Sequence, residues 1–238
     1  MTERLSIDPL VSDNVAYIRS EMAEACNRAG RPMDSVQLLA VTKTVLPEKI
    51  NAAIQCGIKQ IGENRVQEYL KKRDDLALNG VKTHLIGHLQ TNKVRQIVGE
   101  VDMIESVDSL RLAKAISDRS NALHIITPIL VEVNIGGEDA KSGVEPQNLE
   151  YLLQELAHFS GINVQGLMTI PPILRTEREK REIFSKMYQL FVDIEAKKID
   201  NIHMQELSMG MSGDFREAIM EGATIVRIGS ALFGERQY

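Results

Sequence analysis

The chain has 238 residues, 43% of them hydrophobic and 26% charged, with a net charge of -5 at neutral pH. That is enough chain for a sizeable core in one large domain or two small ones, and with aromatics at 4% and no Trp the core must be aliphatic. The acidic balance without a long basic run argues against a general nucleic-acid binder, two cysteines with no CxxC argue against a disulfide scaffold, and no apolar run approaches the roughly 20 residues of a membrane span.

The opening stretch MTERLSIDPLVSDN is polar and acidic, unlike a signal peptide, so a cytoplasmic protein in a reducing compartment is expected. Val11, Val15, Ile18, Met22 and Ala25 then recur at helical spacing, with Gly30 as a stop. This predicts one helix within residues 1–30 that packs on whatever follows. Eight short apolar runs come next, at 36–41, 60–62, 83–87, 103–106, 129–134, 164–169, 206–209 and 224–228. Helical patterns separate them. Pro47 opens the first and Gly57 closes it; Val66, Tyr69 and Leu70 mark the second; Val94, Ile97 and Val98 the third; Leu112, Ala113 and Ile116 the fourth. Pro146 opens the fifth, whose face is Leu149, Leu152, Leu153, Leu156 and Phe159. A long sixth carries Ile183, Phe184, Met187, Phe191 and Ile194; a seventh carries Phe215, Ala218 and Ile219 with Ser212 as its expected N-cap. Residues 231–238 leave room for a short eighth.

Strict β–α alternation means a parallel sheet. Eight units in about 200 residues fit a single closed (β/α)8 TIM barrel spanning residues 1–238, with the N-terminal helix added. An open doubly wound sheet is the alternative, because sequence does not show closure.

In a parallel barrel the site lies at the C-terminal strand ends. The ends here are polar: Lys43 after the first run, GENR (residues 62–65) after the second, His84 and His88 around the third, Asn134 after the fifth, SMGMSGD (208–214) after the seventh and VRIGSALFGE (226–235) at the eighth. The last two place glycine and serine just before helices, where unpaired N–H groups and a partial positive charge favour an anion. Singly, each reads as an ordinary turn; together, with Arg227 beside one of them, they point to a phosphate.

Lys43 ends the apolar run QLLAVTKT. It is either a solvated charge or a positioned amine. Partial burial and the Arg227 charge would both disfavour its ammonium form, and a neutral amine is what a Schiff base with an aldehyde needs. A phosphate site plus such a lysine suggests pyridoxal 5'-phosphate (PLP) or a phosphorylated sugar aldehyde. The five histidines show no HExxH or paired ligand spacing, so no metal is expected. Lys141, in GGEDAKSG, is a candidate second amine that reads more simply as a solvated loop residue.

The segments LLAVTKT, IGENRVQE, HLIGHLQTNK, ESVDS, VNIGGEDAKSG, GLMTI, LSMGMSGDFREAI and GATIVRIGSALFGER together resemble the YggS/PROSC family of PLP homeostasis proteins, from about residue 37 to 235. Thr83 departs from the aromatic that the family often has there. The resemblance implies a barrel like the N-terminal domain of alanine racemase, with PLP held on Lys43 as an internal aldimine. It implies phosphate contacts from Ser212, Gly229 and Ser230, with Met209, Gly210 and Met211 nearby, Arg227 facing the pyridine nitrogen, and Asn64 along the cofactor's other edge. A PLP carrier without catalytic turnover is expected, passing PLP to apo-enzymes. The alternatives are an amino-acid racemase and a class I aldolase. Alanine racemases draw one acid/base tyrosine from a separate C-terminal domain; here the sequence stops at Tyr238, so that group and the dimer it builds are expected to be missing, leaving a monomer.

Overall fold

The computed structural model describes residues 9–137, 142–172 and 175–234. All eight predicted strands form: β1 (Gln37–Val41), β2 (Gln60–Glu63), β3 (Lys82–Leu85), β4 (Met103–Val107), β5 (Thr127–Glu132), β6 (Ile162–Met168), β7 (Ile202–Met211) and β8 (Ile225–Ile228). They are parallel and hydrogen-bonded in sequence order, and β1 pairs with β8 through Gln37–Ile225 to Ala40–Ile228. That last pairing closes the barrel and removes the open-sheet alternative.

The helices are α1 (Pro9–Arg28), α2 (Pro47–Gln55), α3 (Val66–Lys72), α4 (Val94–Ile97), α5 (Leu110–Ala122), α6 (Pro146–Leu156), α7 (Glu177–Ala196), α8 (Phe215–Met220) and α9 (Ser230–Phe233). Proline opens α2 and α6 at the first turn, where its missing N–H is no loss. A capping box between Thr176 and Glu179 starts α7. The predicted helix after β3 shrinks to the single turn α4, entered through a 3-10 turn at Thr91–Lys93. α1 lays Val11, Val15, Ile18 and Met22 into the core, and Asn14 Nδ2 donates to the Leu232 carbonyl at 2.9 Å, which ties it to α9. None of the helices described is long and apolar enough to cross a membrane.

Along each strand, side chains alternate between the helix-facing layer and the barrel interior. Ala40, Ile61, Leu85, Ile104, Val131, Leu207 and Val226 belong to the large core between sheet and helices. The interior holds two small apolar groups, Leu39–Ile86–Ile225 and Met103–Leu130–Met168. Towards the C-terminal ends the interior turns polar, with His84, Glu105, Glu132, Ser208 and Arg227 all buried.

Most strand ends shift by one or two residues from the predicted runs, and two of the shifts have a clear local cause. β5 stops at Glu132 rather than 134, because Asn134 turns to donate its N–H to the Val144 carbonyl. β7 begins four residues before the predicted 206: its first turn of strand alternates exposed His203 with buried Met204 and so lacks an apolar run.

Candidate functional site at the barrel mouth

Lys43 lies two residues past the end of β1, in the turn that leads to α2. Its neighbours are held firmly. The Lys72 ammonium, at the end of α3, donates to the Thr42 carbonyl at 2.7 Å and is paired with Glu63 at 2.7 Å and Glu68 at 3.1 Å. The Thr42 hydroxyl donates to Glu63 Oε1, and the Thr44 N–H donates to Glu68 Oε1. Burial pushes the Glu63 carboxyl up, opposed by the Lys72 bond and charge and by the Thr42 hydroxyl. Thr44 itself has φ of 60°, a left-handed conformation that a β-branched residue rarely adopts.

Lys43 shares a cavity of about 440 Å³ with Val41, Lys49, Gly229, Ser230 and Phe233. That volume is within the range of small-molecule sites, roughly 300–1,000 Å³. The β1 and β8 loops meet there because β1 and β8 are the strands that close the barrel. Ser212 reaches the same place from the β7 loop: its Oγ accepts from the Gly229 N–H at 3.3 Å and the Ala231 N–H at 3.2 Å. The expectation that Ser212 caps the helix after β7 is therefore corrected. Asp214 stands at that helix start, where it accepts from the Met211 N–H at 2.6 Å, while the Ser212 hydroxyl serves the first turn of α9. Ser212 sits too far ahead of Phe215 to cap α8, and the Gly229 and Ala231 amides at the start of α9 lie within its reach.

Arg227 is 3% exposed and lies in the barrel interior. Its guanidinium donates to Ser208 Oγ and to the Thr169 carbonyl, both at 2.7 Å. Ser208 donates in turn to Glu105 at 2.6 Å, and the other Glu105 oxygen meets His84 Nδ1 at 2.6 Å. Burial alone would raise the Glu105 carboxyl, but His84, Arg227 and Ser208 outweigh it and hold it below the usual carboxylate range. Burial pulls the Arg227 guanidinium down from its ordinary value, against Glu105, Asp214 and Glu132. Glu132 faces the same interior; burial, with Asp108 adding to it and Arg227 opposing, pushes it up to about 7.

The other expected site residues are spread around this centre. Asn64 follows β2, and its side-chain Oδ1 is buried without a hydrogen-bond partner. Gly210 has φ of 91°, and a Cβ there would strike Phe215 and Ala218 of α8, so glycine is required for that close approach. Met209 is fully buried in the helix-facing core, while Met211 is 37% exposed. Lys43, Gly229, Ser230 and Ser212 are thus brought together, Arg227 and Asn64 are not among the residues that line the Lys43 cavity, and Met209 packs elsewhere. Lys141 lies outside the described residues.

Sequence reasoning passed over Lys72 and Glu105. Lys72 falls three residues after Tyr69 and six after Val66, on the buried face of α3. A lysine on an apolar helical stripe was the available signal, as was a glutamate inside the continuous run MIESV.

Comparison with known proteins decides the family. The model of the alanine racemase N-terminal domain matches residues 14–237. A pyridoxal phosphate homeostasis protein of Aquifex aeolicus (strain VF5) is 45% identical over 226 residues, 95% of this chain and 98% of that one. The chain belongs to the pyridoxal phosphate homeostasis protein family. Among solved structures, an unknown protein from Bifidobacterium adolescentis superposes with a TM-score of 0.90 at 40% identity, covering 94% of each chain. PipY of Synechococcus elongatus PCC7942, determined with PLP bound, superposes with a TM-score of 0.84 at 33% identity, covering 94% of this chain and all of PipY. Relatives in the family are thus named for homeostasis of the cofactor rather than for a reaction.

Proposed function

We propose that this protein binds PLP at the barrel mouth, holds it covalently through Lys43 and hands it to apo-enzymes without turning over a substrate of its own. The observation that carries this reading is the single cavity in which Lys43 faces Gly229 and Ser230. The residues fit the group in two further ways. The N–H groups of Gly229 and Ala231 both donate to Ser212 Oγ, which fixes the serine against the start of α9 and leaves its hydroxyl proton to donate to an oxygen acceptor such as a phosphate. The orphaned Oδ1 of Asn64 is a buried polar group that a ligand would satisfy. The PLP bound by PipY supports the same ligand here.

PLP, when bound, supplies an aldehyde that reacts reversibly with amines and a ring that can draw electrons from them. Lys43 provides the amine. The Gly229 and Ser230 segment, with the Ser212 hydroxyl, is proposed to anchor the phosphate, and Asn64 to line the opposite edge. Arg227 is proposed to face the ring nitrogen. A guanidinium has donors and no acceptor, so it can donate to a neutral ring nitrogen but cannot stabilise a protonated one. Ser208 and the Thr169 carbonyl fix it in that role, and Glu105 balances its charge. The site then holds the cofactor while leaving its power to activate an amino acid weak.

The reading is tested by incubating the PLP-loaded protein with L-alanine and L-serine in heavy water. No sustained deuteration at Cα and no D-isomer are expected; steady accumulation of either would make the protein a racemase. A class I aldolase would instead be colourless as purified.

A further inference from the structure

We infer that Lys72 is a positioning residue for Lys43: with Glu63 and Glu68 it grips the chain on both sides of that lysine and holds its amine at the barrel mouth. The inference rests on the reading of Lys43 as the amine that binds PLP. Lys72 is 7% exposed, and its ammonium has three N–H donors with three acceptors in reach: the Thr42 carbonyl, Glu63 and Glu68. Two of these partners act directly beside Lys43. The Thr42 carbonyl precedes it, and Glu68 takes the Thr44 N–H that follows it. Glu63 closes the ring of contacts by accepting from the Thr42 hydroxyl.

Thr44 is exposed and β-branched, yet it holds φ of 60°. Such a conformation persists only where the surroundings over-determine it, and the contact that does so is the Glu68 carboxylate on its N–H. Moreover, one ammonium and two carboxylates are a poor choice for stability at a buried position on a helix face, where aliphatic side chains of similar volume do as well or better. Without Lys72, Glu63 and Glu68 would share no cation. Their mutual repulsion and the burial of Glu63 would loosen the grip on Thr42 and Thr44. The reaction served is simple: the Lys43 nitrogen forms a bond to the aldehyde carbon, the carbonyl oxygen leaves as water, and the amine must approach that carbon along a fixed direction.

The test separates attachment from seating. Wild type, Lys72→Met, Lys72→Arg and Glu68→Ala are each mixed with PLP, and the rate of appearance of the visible band is followed. Each is also titrated with pyridoxine 5'-phosphate, which carries an alcohol in place of the aldehyde and forms no link. Positioning predicts that Lys72→Met slows attachment by about tenfold or more while its affinity for pyridoxine 5'-phosphate stays within about twofold of wild type, and that Lys72→Arg recovers part of the rate. Unchanged attachment overturns the inference, and so does a parallel loss of attachment and analogue binding, which is what a general loosening of the fold would give. Glu68→Ala acts at a partly exposed residue, so it carries the same test should Lys72→Met fail to fold. A wild-type protein that never forms the band would refute the reading of Lys43 itself; a normal wild type with a normal Lys72→Met refutes only the positioning role.

Discussion

Glu132 and Ser212 show how single side chains at this mouth are tuned. The Glu132 carboxyl is 6% exposed, and burial beside Asp108 raises it to about 7. A carboxyl raised above its unfolded value of 4.5 binds more protons folded than unfolded. Its contribution to stability is therefore full below about pH 4.5 and is lost as pH rises through about 7. Glu132→Gln removes this loss. Unfolding by urea at pH 5 and pH 8 is expected to show the variant gaining relative to wild type by on the order of 2–3 kcal/mol between the two; equal pH dependence would mean that Glu132 is solvated. Ser212→Ala deletes the oxygen that the Gly229 and Ala231 amides share. Its PLP affinity is expected to fall by roughly 1 kcal/mol, about fivefold in Kd by equilibrium titration.

At the scale of elements, the barrel depends on a few positions where the ladder changes step. The β5–β6 and β6–β7 registers both shift next to Gly166, which has φ of 150°. A Cβ there would overlap the Glu206 carbonyl on β7. Gly166→Ala is expected to destabilise the fold by on the order of 3–5 kcal/mol, read as a lower urea midpoint with an unchanged slope. The strands were legible because a parallel sheet covered on both faces writes itself as short apolar runs, such as LLAV in β1 and IVRI in β8. Where one end of a strand emerges at the bottom of the barrel, as at Ile202–Gln205, the run dissolves and the prediction started late. Ser212 differs for another reason. A serine near a helix start looks like its cap, but the amides it serves are 17 and 19 residues away, at Gly229 and Ala231, and the β7–β8 pairing brings them near.

For the molecule as a whole, closure is what turns separate strand ends into one site. β1 and β8 are neighbours only in the closed barrel, so the Lys43 amine and the Gly229–Ser230 segment, far apart in sequence, come to line the same cavity. The two ends of that arrangement were readable as a lysine after an apolar run and a glycine–serine turn before a helix. The Lys72–Glu63–Glu68 cluster and the His84–Glu105–Ser208–Arg227 chain were not, because each joins charges from different elements whose partners only the tertiary fold selects. Whether this barrel holds PLP on one lysine is decided by loading the protein with PLP, reducing it with borohydride and mapping the label by mass spectrometry. One pyridoxyl group on Lys43 is expected, with the visible band lost on reduction and lost in Lys43→Ala. A label on Lys141 or any other lysine, or a coloured Lys43→Ala protein, would contradict it.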